Sequence, residues 1–190
     1  MQLDILRFVN AIWVVVAIYW IVAAGRAKPA AKRQSPASRA LHIAILLSAY
    51  VFLWTGFTRI GILKNRFVPA EGWGAWLGLA LTIAGCAFAI WARVYLGSNW
   101  SGTVTVKQNH ELVRSGPYAI VRHPIYSGFL LALAGTAIVV GEIRALVGLG
   151  LAITGFLLKA GYEEQFMLEQ FDGEYVRYSQ QVRRLIPFLL

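Results

Sequence analysis

The chain is expected to fold as an all-α, polytopic membrane protein. It has five transmembrane helices, a folded cytosolic linker between helices 3 and 4, and a C-terminal helix lying on the membrane interface. Three observations predict this. Of 190 residues, 58% are hydrophobic and only 14% charged, too apolar for an ordinary soluble domain of this length. Five stretches, 5–24, 41–58, 74–97, 125–141 and 145–162, approach or meet the ~20 residues that a bilayer-spanning helix needs. Finally, the basic residues segregate. Thirteen of the 18 Lys and Arg residues lie in 25–40, 93–124 and 159–190, leaving five (Arg7, Arg59, Lys64, Arg66, Arg144) on the opposite side. By the positive-inside rule this puts the N-terminus outside and the C-terminus in the cytosol, in a bacterium across the cell inner membrane.

Each element has its own justification. The first span has its basic residues mainly after the apolar run and ends in no clear small-residue cleavage site, unlike a cleaved signal peptide. The Ala/Pro-rich stretch 25–40 that follows, with Arg26, Lys28, Lys32, Arg33 and Arg39, reads as a cytosolic loop beside anionic membrane lipids. The second span ends near Arg59. The third opens with Trp73 and Trp76 as interfacial anchors, and its Gly74 and Gly78 form a GxxxG pair that permits close helix approach. Cys86, the one cysteine, reads as a small core residue and excludes an internal disulfide. The linker 98–123 far exceeds the usual ~2–8-residue helix connection and is expected to fold back over the bundle. Pro124 suits the first turn of the fourth helix, where its missing N–H costs nothing. The fifth apolar run stops at Glu163–Glu164, with helix-compatible residues through Phe171 and a break at Asp172–Gly173. Tyr175, Tyr178, Val182 and Leu185 then recur at helical spacing, which predicts the interfacial helix, ended by Pro187.

Several function classes are excluded. The net charge of +9 is dispersed among apolar spans, so no nucleic-acid partner is expected. There is no dinucleotide fingerprint, no phosphate-cradling glycine loop and no HExxH. Three histidines without a cysteine pair argue against a metal site.

What remains is the stretch 116–128, GPYAIVRHPIYSG, and the twin glutamates. Arg122 and His123 fall at or just before a helix N-terminus, where free N–H groups and the dipole favour an anion. Glu163 and Glu164 repel each other and sit badly at a helix C-terminal end. A cationic partner is expected, whether Arg122, Lys159 one turn earlier, or a cationic ligand. Singly, each residue has an ordinary reading: Glu163 as an i,i+4 partner of Lys159, His123 as a cap, Tyr126 as a belt aromatic. The two motifs together, on one predicted face, point to a site formed by Arg122, His123, Tyr126, Glu163 and Glu164, with Tyr118, Trp100 and His110 as further candidates.

GPYAIVRHPIYSG followed by EEQFMLEQFDGEYVRY resembles the isoprenylcysteine carboxyl methyltransferases and the related small phospholipid N-methyltransferases, from about residue 96 to Pro187. One departure is Phe171-Asp172-Gly173, where the family commonly has Phe-Gly. The resemblance implies a single membrane domain over 1–190, with two N-terminal helices in 1–70 and a cofactor-binding core in 71–190. It implies S-adenosylmethionine as cofactor and methyl transfer to a lipophilic acceptor entering from the bilayer, such as an isoprenylcysteine α-carboxylate; the alternative is a phospholipid amine. The implied cofactor-binding residues are His110, Leu112, Val113, Gly116, Tyr118, His123, Pro124, Tyr126, Gly128 and Glu163, and the implied catalytic ones Arg122, Glu163 and Glu164. The residue types agree: carboxylates at Glu163 or Glu164 suit the cofactor's amine, Arg122 or His123 its carboxylate, and Tyr118, Tyr126 or Trp100 its sulfonium or adenine. Arg122, Arg93 and Arg177 are the candidates for holding an acceptor's anion. A sterol-reductase-like enzyme is disfavoured by the few basic residues in the linker, and a transporter or non-enzymatic subunit by the clustering of the clear polar candidates at one face.

Overall fold

The structure, a computed structural model, describes residues 1–25, 35–70, 72–97 and 112–187. Five helices carry the architecture: α1 (Gln2–Ala24), α2 (Pro36–Trp54), α3 (Trp73–Leu96), α4 (Pro124–Val140) and α5 (Ile143–Gln181). Four are long and apolar enough to cross a membrane, and α4, with 17 residues, is a shorter apolar helix. No β-strand is formed among the described residues. The chain is an integral membrane α-helical bundle.

Helix boundaries follow local chemistry. Ser35 caps α2, its hydroxyl accepting from the Ser38 N–H at 3.3 Å, and Pro36 occupies the first turn, so α2 starts inside the stretch expected to be loop. It also stops earlier than its hydropathy suggests, at Trp54. Thr55 is extended, and 3₁₀ turns at Gly56–Thr58 and Gly61–Lys64 follow. The side chain of Arg144 fixes that end: its Nη1 donates to the carbonyls of Phe52, Leu53 and Thr55, which the helix leaves unpaired. Arg144 is buried beside Glu142 (2.6 Å), which Arg59 also meets at 2.9 Å.

α3 and α4 lie backbone to backbone. The sequence places glycines seven apart on each, Gly78 and Gly85 on α3, Gly128 and Gly135 on α4, and antiparallel packing brings them face to face. A Cβ on Gly85 would come within 2.5 Å of the Gly128 carbonyl, and one on Gly135 within 2.5 Å of the Gly78 carbonyl. Small residues driving close approach are the expected glue where lipid removes the hydrophobic driving force. Gly78 thus serves the predicted close contact, while Gly74 meets only the side chain of Val68. Cys86 is buried, as expected. α2 packs on the first half of α5 through Ala49, Leu53, Ala145 and Ala152, and α1 crosses α3 and α4 with Ile5, Val9 and Val16 buried. Trp13 donates to the Thr136 hydroxyl at 2.9 Å.

The C-terminal part breaks where expected but takes another course. At Asp172 the backbone leaves the helical region (φ 38°, ψ −120°), so α5 is two helical stretches that meet at a kink. The second stretch carries Tyr175 and Tyr178 and ends at Gln181, and Val182 and Leu185 lie beyond it in non-helical chain. Tyr175 and Tyr178 are buried at 4% exposure each, because the Tyr178 hydroxyl donates to the Tyr118 carbonyl at 2.6 Å. This face binds protein rather than lipid. Of the linker, the described part forms a 3₁₀ turn at Gly116–Ala119 and pairs Val121 with Arg183 in a parallel bridge.

Candidate active site

The site is built where α4 begins and the apolar run of α5 ends. Pro124 opens α4, fully buried, and the residue before a proline is pushed out of the helical region. His123 accordingly has φ −122° and ψ 63°. The free N–H groups ahead of this helix are not left for a ligand. Arg122 N–H donates to the Arg183 carbonyl at 2.8 Å and His123 N–H to the Arg184 carbonyl at 3.0 Å. The Ser127 hydroxyl, next on α4, donates to the Leu185 carbonyl. The chain after α5 thus lies along the entrance of α4 as a strap.

The side chains converge on the twin glutamates. Arg122 Nε donates to Glu164 Oε1 at 2.9 Å, and its Nη1 donates to the carbonyls of Ser179 and Val182. Arg184 donates to Glu164 Oε2. His123 stands between the carboxylates, Nε2 at 3.2 Å from Glu164 Oε1 and Nδ1 at 3.4 Å from Glu163 Oε2. Tyr126 donates to Glu163 Oε1 at 2.5 Å and stacks on the His123 ring, 5.5 Å away and 5° from parallel. Two like charges next to each other are thereby offset by two guanidiniums and an imidazole.

Burial separates the two carboxylates. The Glu164 side chain is 9% exposed and held by both arginines, whereas that of Glu163 is 22% exposed with no arginine on it. Glu163 retains acceptor capacity toward an incoming cation, while Glu164 orders the groups around it. Burial disfavours the charged imidazole of His123, but hydrogen bonds and charge from Glu163 and Glu164 outweigh it and raise its pKa above the ordinary 6.5. The phenol of Tyr118 is pushed far up, by burial first and then by Glu163 and Tyr178, so it stays a neutral aromatic.

The predicted site residues divide accordingly. Arg122, His123, Tyr126, Glu163 and Glu164 come together. Tyr118 is buried beside them in the 3₁₀ turn, anchored by Tyr178. Gly116, at φ 59°, lies under the Tyr95 ring, which approaches its Cβ position to 2.6 Å. Leu112 and Val113 are half-buried and extended on the approach to that turn. Gly128 faces α3, where its missing Cβ admits Ala89. Of the arginines considered for an acceptor, Arg93 is buried and donates to the carbonyls of Ala23 and Gly97, and Arg177 is exposed past the kink. His110 and Trp100 lie outside the described residues. Arg184, Ser127 and Ser179 were not foreseen. The one signal for them was the basic pair Arg183–Arg184, the charge complement of the twin glutamates. No group of His, Cys, Asp and Glu suited to a metal ion occurs among the described residues.

Fold and site define a helical integral membrane protein with a polar, ion-paired centre at one end of its bundle. Residues 76–169 match the model of the isoprenylcysteine carboxyl methyltransferase (ICMT) family. The protein-S-isoprenylcysteine O-methyltransferase of Homo sapiens is 32% identical over 142 residues, 72% of this chain and 49% of that protein. A probable protein-S-isoprenylcysteine O-methyltransferase of Oryza sativa subsp. japonica is 32% identical over 118 residues, 60% of this chain and 62% of that protein. The solved structure of the eukaryotic intramembrane Ras methyltransferase ICMT superposes with a TM-score of 0.62 at 27% identity, covering 79% of this chain and 53% of that one. Through this core, the chain is similar to the isoprenylcysteine carboxyl methyltransferase family. It spans about half to three fifths of the length of these relatives.

Proposed function

We propose that the chain is an S-adenosylmethionine-dependent membrane methyltransferase acting on a lipophilic carboxylate such as an isoprenylcysteine α-carboxylate. The observation that carries this reading is the gathering of Arg122, His123, Tyr126, Glu163 and Glu164 at the membrane boundary, with Glu163 partly open. The family relatives named above are carboxyl methyltransferases, which supports the same class of acceptor.

The residues fit the cofactor's chemistry. Glu163 supplies a carboxylate for its amine, His123 in its charged form and the Arg122 guanidinium supply cations for its carboxylate, and Tyr118, Tyr126 and the 112–113 backbone provide an aromatic and peptide surface for its base. When bound, the cofactor supplies an electrophilic methyl on a sulfonium whose loss needs no protonation. A carboxylate acceptor likewise needs no general base. The chain's own task is orientation and exclusion of water. Glu164 does this at one remove, fixing Arg122, Arg184 and His123 in one arrangement. Residues 71–190 form the donor-binding core, and the two helices of 1–70 complete the acceptor's surroundings. The positive-inside distribution puts this centre at the cytosolic face, where a soluble donor is available, with the N-terminus outside.

The test is calorimetric binding of S-adenosylmethionine to purified protein, together with methylation of N-acetyl-S-farnesyl-cysteine by labelled donor. His123→Ala and Glu163→Ala are expected to weaken donor binding at least tenfold. Undiminished affinity in both variants refutes the site, and the absence of binding to the unaltered protein refutes the function.

A further inference from the structure

A lipophilic carboxylate needs a cation at the bilayer side of the site, and the arginines are engaged elsewhere. Arg122 is held by Glu164 and the carbonyls of Ser179 and Val182, Arg184 by Glu164, and Arg93 by the ends of α1 and α3. Arg114 pairs with Glu174 at 2.8 Å, and Arg177 and Arg183 are exposed beyond the kink.

Lys159 is different. It sits one helical turn inside Glu163, still within the apolar run of α5, and is half-buried. Among the described residues no carboxylate oxygen lies within 4.0 Å of its ammonium; Glu163, four residues on, is near enough to feel its charge but makes no ion-pair contact. Its ammonium instead rests over the ring of Tyr126, 5.3 Å from the centroid. That is the same ring whose hydroxyl donates to Glu163. A lysine in an apolar span is costly and needs a partner or a route to water. An aromatic face supplies part of that compensation, far less than a carboxylate does.

We infer that Lys159 is the acceptor-binding residue, its ammonium receiving the carboxylate of the lipophilic acceptor at the bilayer side of the Tyr126–Glu163 pair. This rests on the proposed function for the acceptor's chemistry and adds to it the residue that selects an acid. Placed there, Lys159 draws the acceptor's anion to the bilayer side of Tyr126 and discriminates against a neutral end group. It also disfavours a cationic amine acceptor by like-charge repulsion.

The experiment measures binding separately from turnover. Full-length protein in lipid nanodiscs is titrated with N-acetyl-S-farnesyl-cysteine and with its carboxamide, for the unaltered chain, Lys159→Met and Lys159→Arg. The unaltered chain is expected to bind the acid about tenfold or more tightly than the amide, the difference expected of one charge-assisted contact. Lys159→Met is expected to lose that preference, with KM for the acid raised, kcat little changed and donor affinity intact. Lys159→Arg is expected to restore it. If the unaltered chain shows no preference for the acid, or Lys159→Met keeps it, the inference is overturned. If the preference is present and lost in Lys159→Met while no methyl is transferred, the lysine assignment stands and the methyltransferase reading falls.

Discussion

Replacing Gly128 by alanine tests how the site depends on helix packing. A Cβ built there lies 2.6 Å from the Ala89 nitrogen, 2.7 Å from the Gly85 carbonyl oxygen and 2.8 Å from the Ala89 Cβ. A methyl carbon settles at roughly 3.5 Å from a heavy neighbour, so the closest two contacts fall short by about 0.8–0.9 Å. Both involve α3 main-chain atoms, which cannot rotate aside, so α3 and α4 must separate by nearly that distance. Overpacking of this kind costs about 1–3 kcal/mol. For a chain of this size that corresponds to a fall of about 3–10 °C in melting temperature. The second effect is catalytic. Tyr126 in the first turn of α4 and His123 just before it lie two and five residues from the insertion, and a displacement near 1 Å costs about a hundredfold in rate. Gly150→Ala on α5 is the control, since nothing lies within 4 Å of a Cβ there and alanine adds helix propensity worth up to about 1 kcal/mol. Melting by intrinsic fluorescence and methyl transfer are measured on both. If Gly128→Ala melts and turns over like Gly150→Ala, the backbone contact does not position the site.

Other outcomes follow from the ion pairs and the kink. Glu164→Gln leaves the Arg122 side chain, 11% exposed, with carbonyls but no counter-charge. Because Arg184 is free to turn to water, the loss is expected below the usual 3–5 kcal/mol, at about 2–3 kcal/mol, with donor affinity down tenfold or more; an unchanged melting curve counts against the pairing. His123 has a raised pKa in the fold. Its contribution is therefore fully present below the ordinary histidine value of 6.5 and is lost as pH rises through the raised one. Stability and donor affinity are expected to fall on the alkaline side, and His123→Gln to abolish that step; a step that persists in the variant refutes it. Asp172→Gly places glycine at φ 38°, a conformation L-residues avoid at a cost of about 1–2 kcal/mol. Melting is expected to rise with donor affinity unchanged, and a fall shows that the Asp172 side chain contributes more than its backbone strain removes.

The spans and the carboxylate site were legible because both signals are local. Hydropathy finds a run such as 145–162 without reference to other residues. The motif 116–128 places Arg122, His123 and Tyr126 together by sequence adjacency, and the twin glutamates announce a need for cations. The strap was not legible. That Arg183 and Arg184 carbonyls cover the N–H groups of Arg122 and His123 depends on a return of the chain some sixty residues later, and backbone carbonyls carry no residue identity. The amides of Arg122 and His123, read as free to meet an anion, are therefore paired within the chain. The break of α5 at Asp172 was legible in Asp172–Gly173; that the stretch after it packs on protein was not, because the Tyr178 hydroxyl reaches the Tyr118 carbonyl across 60 residues of sequence. The glycine register between α3 and α4 was seen only as Gly74–Gly78, since its period of seven is clear only when both helices are set antiparallel.

The strap has a consequence for biogenesis. During synthesis all five hydrophobic segments emerge before residues 182–185, so the bundle enters the bilayer with the RHP corner still uncovered. Membrane insertion and maturation of the polar centre are then separate events, the second waiting on residues 182–185, made after all five apolar segments. A chain cut after residue 181 keeps all five apolar segments, while its charged cluster lacks its clasp.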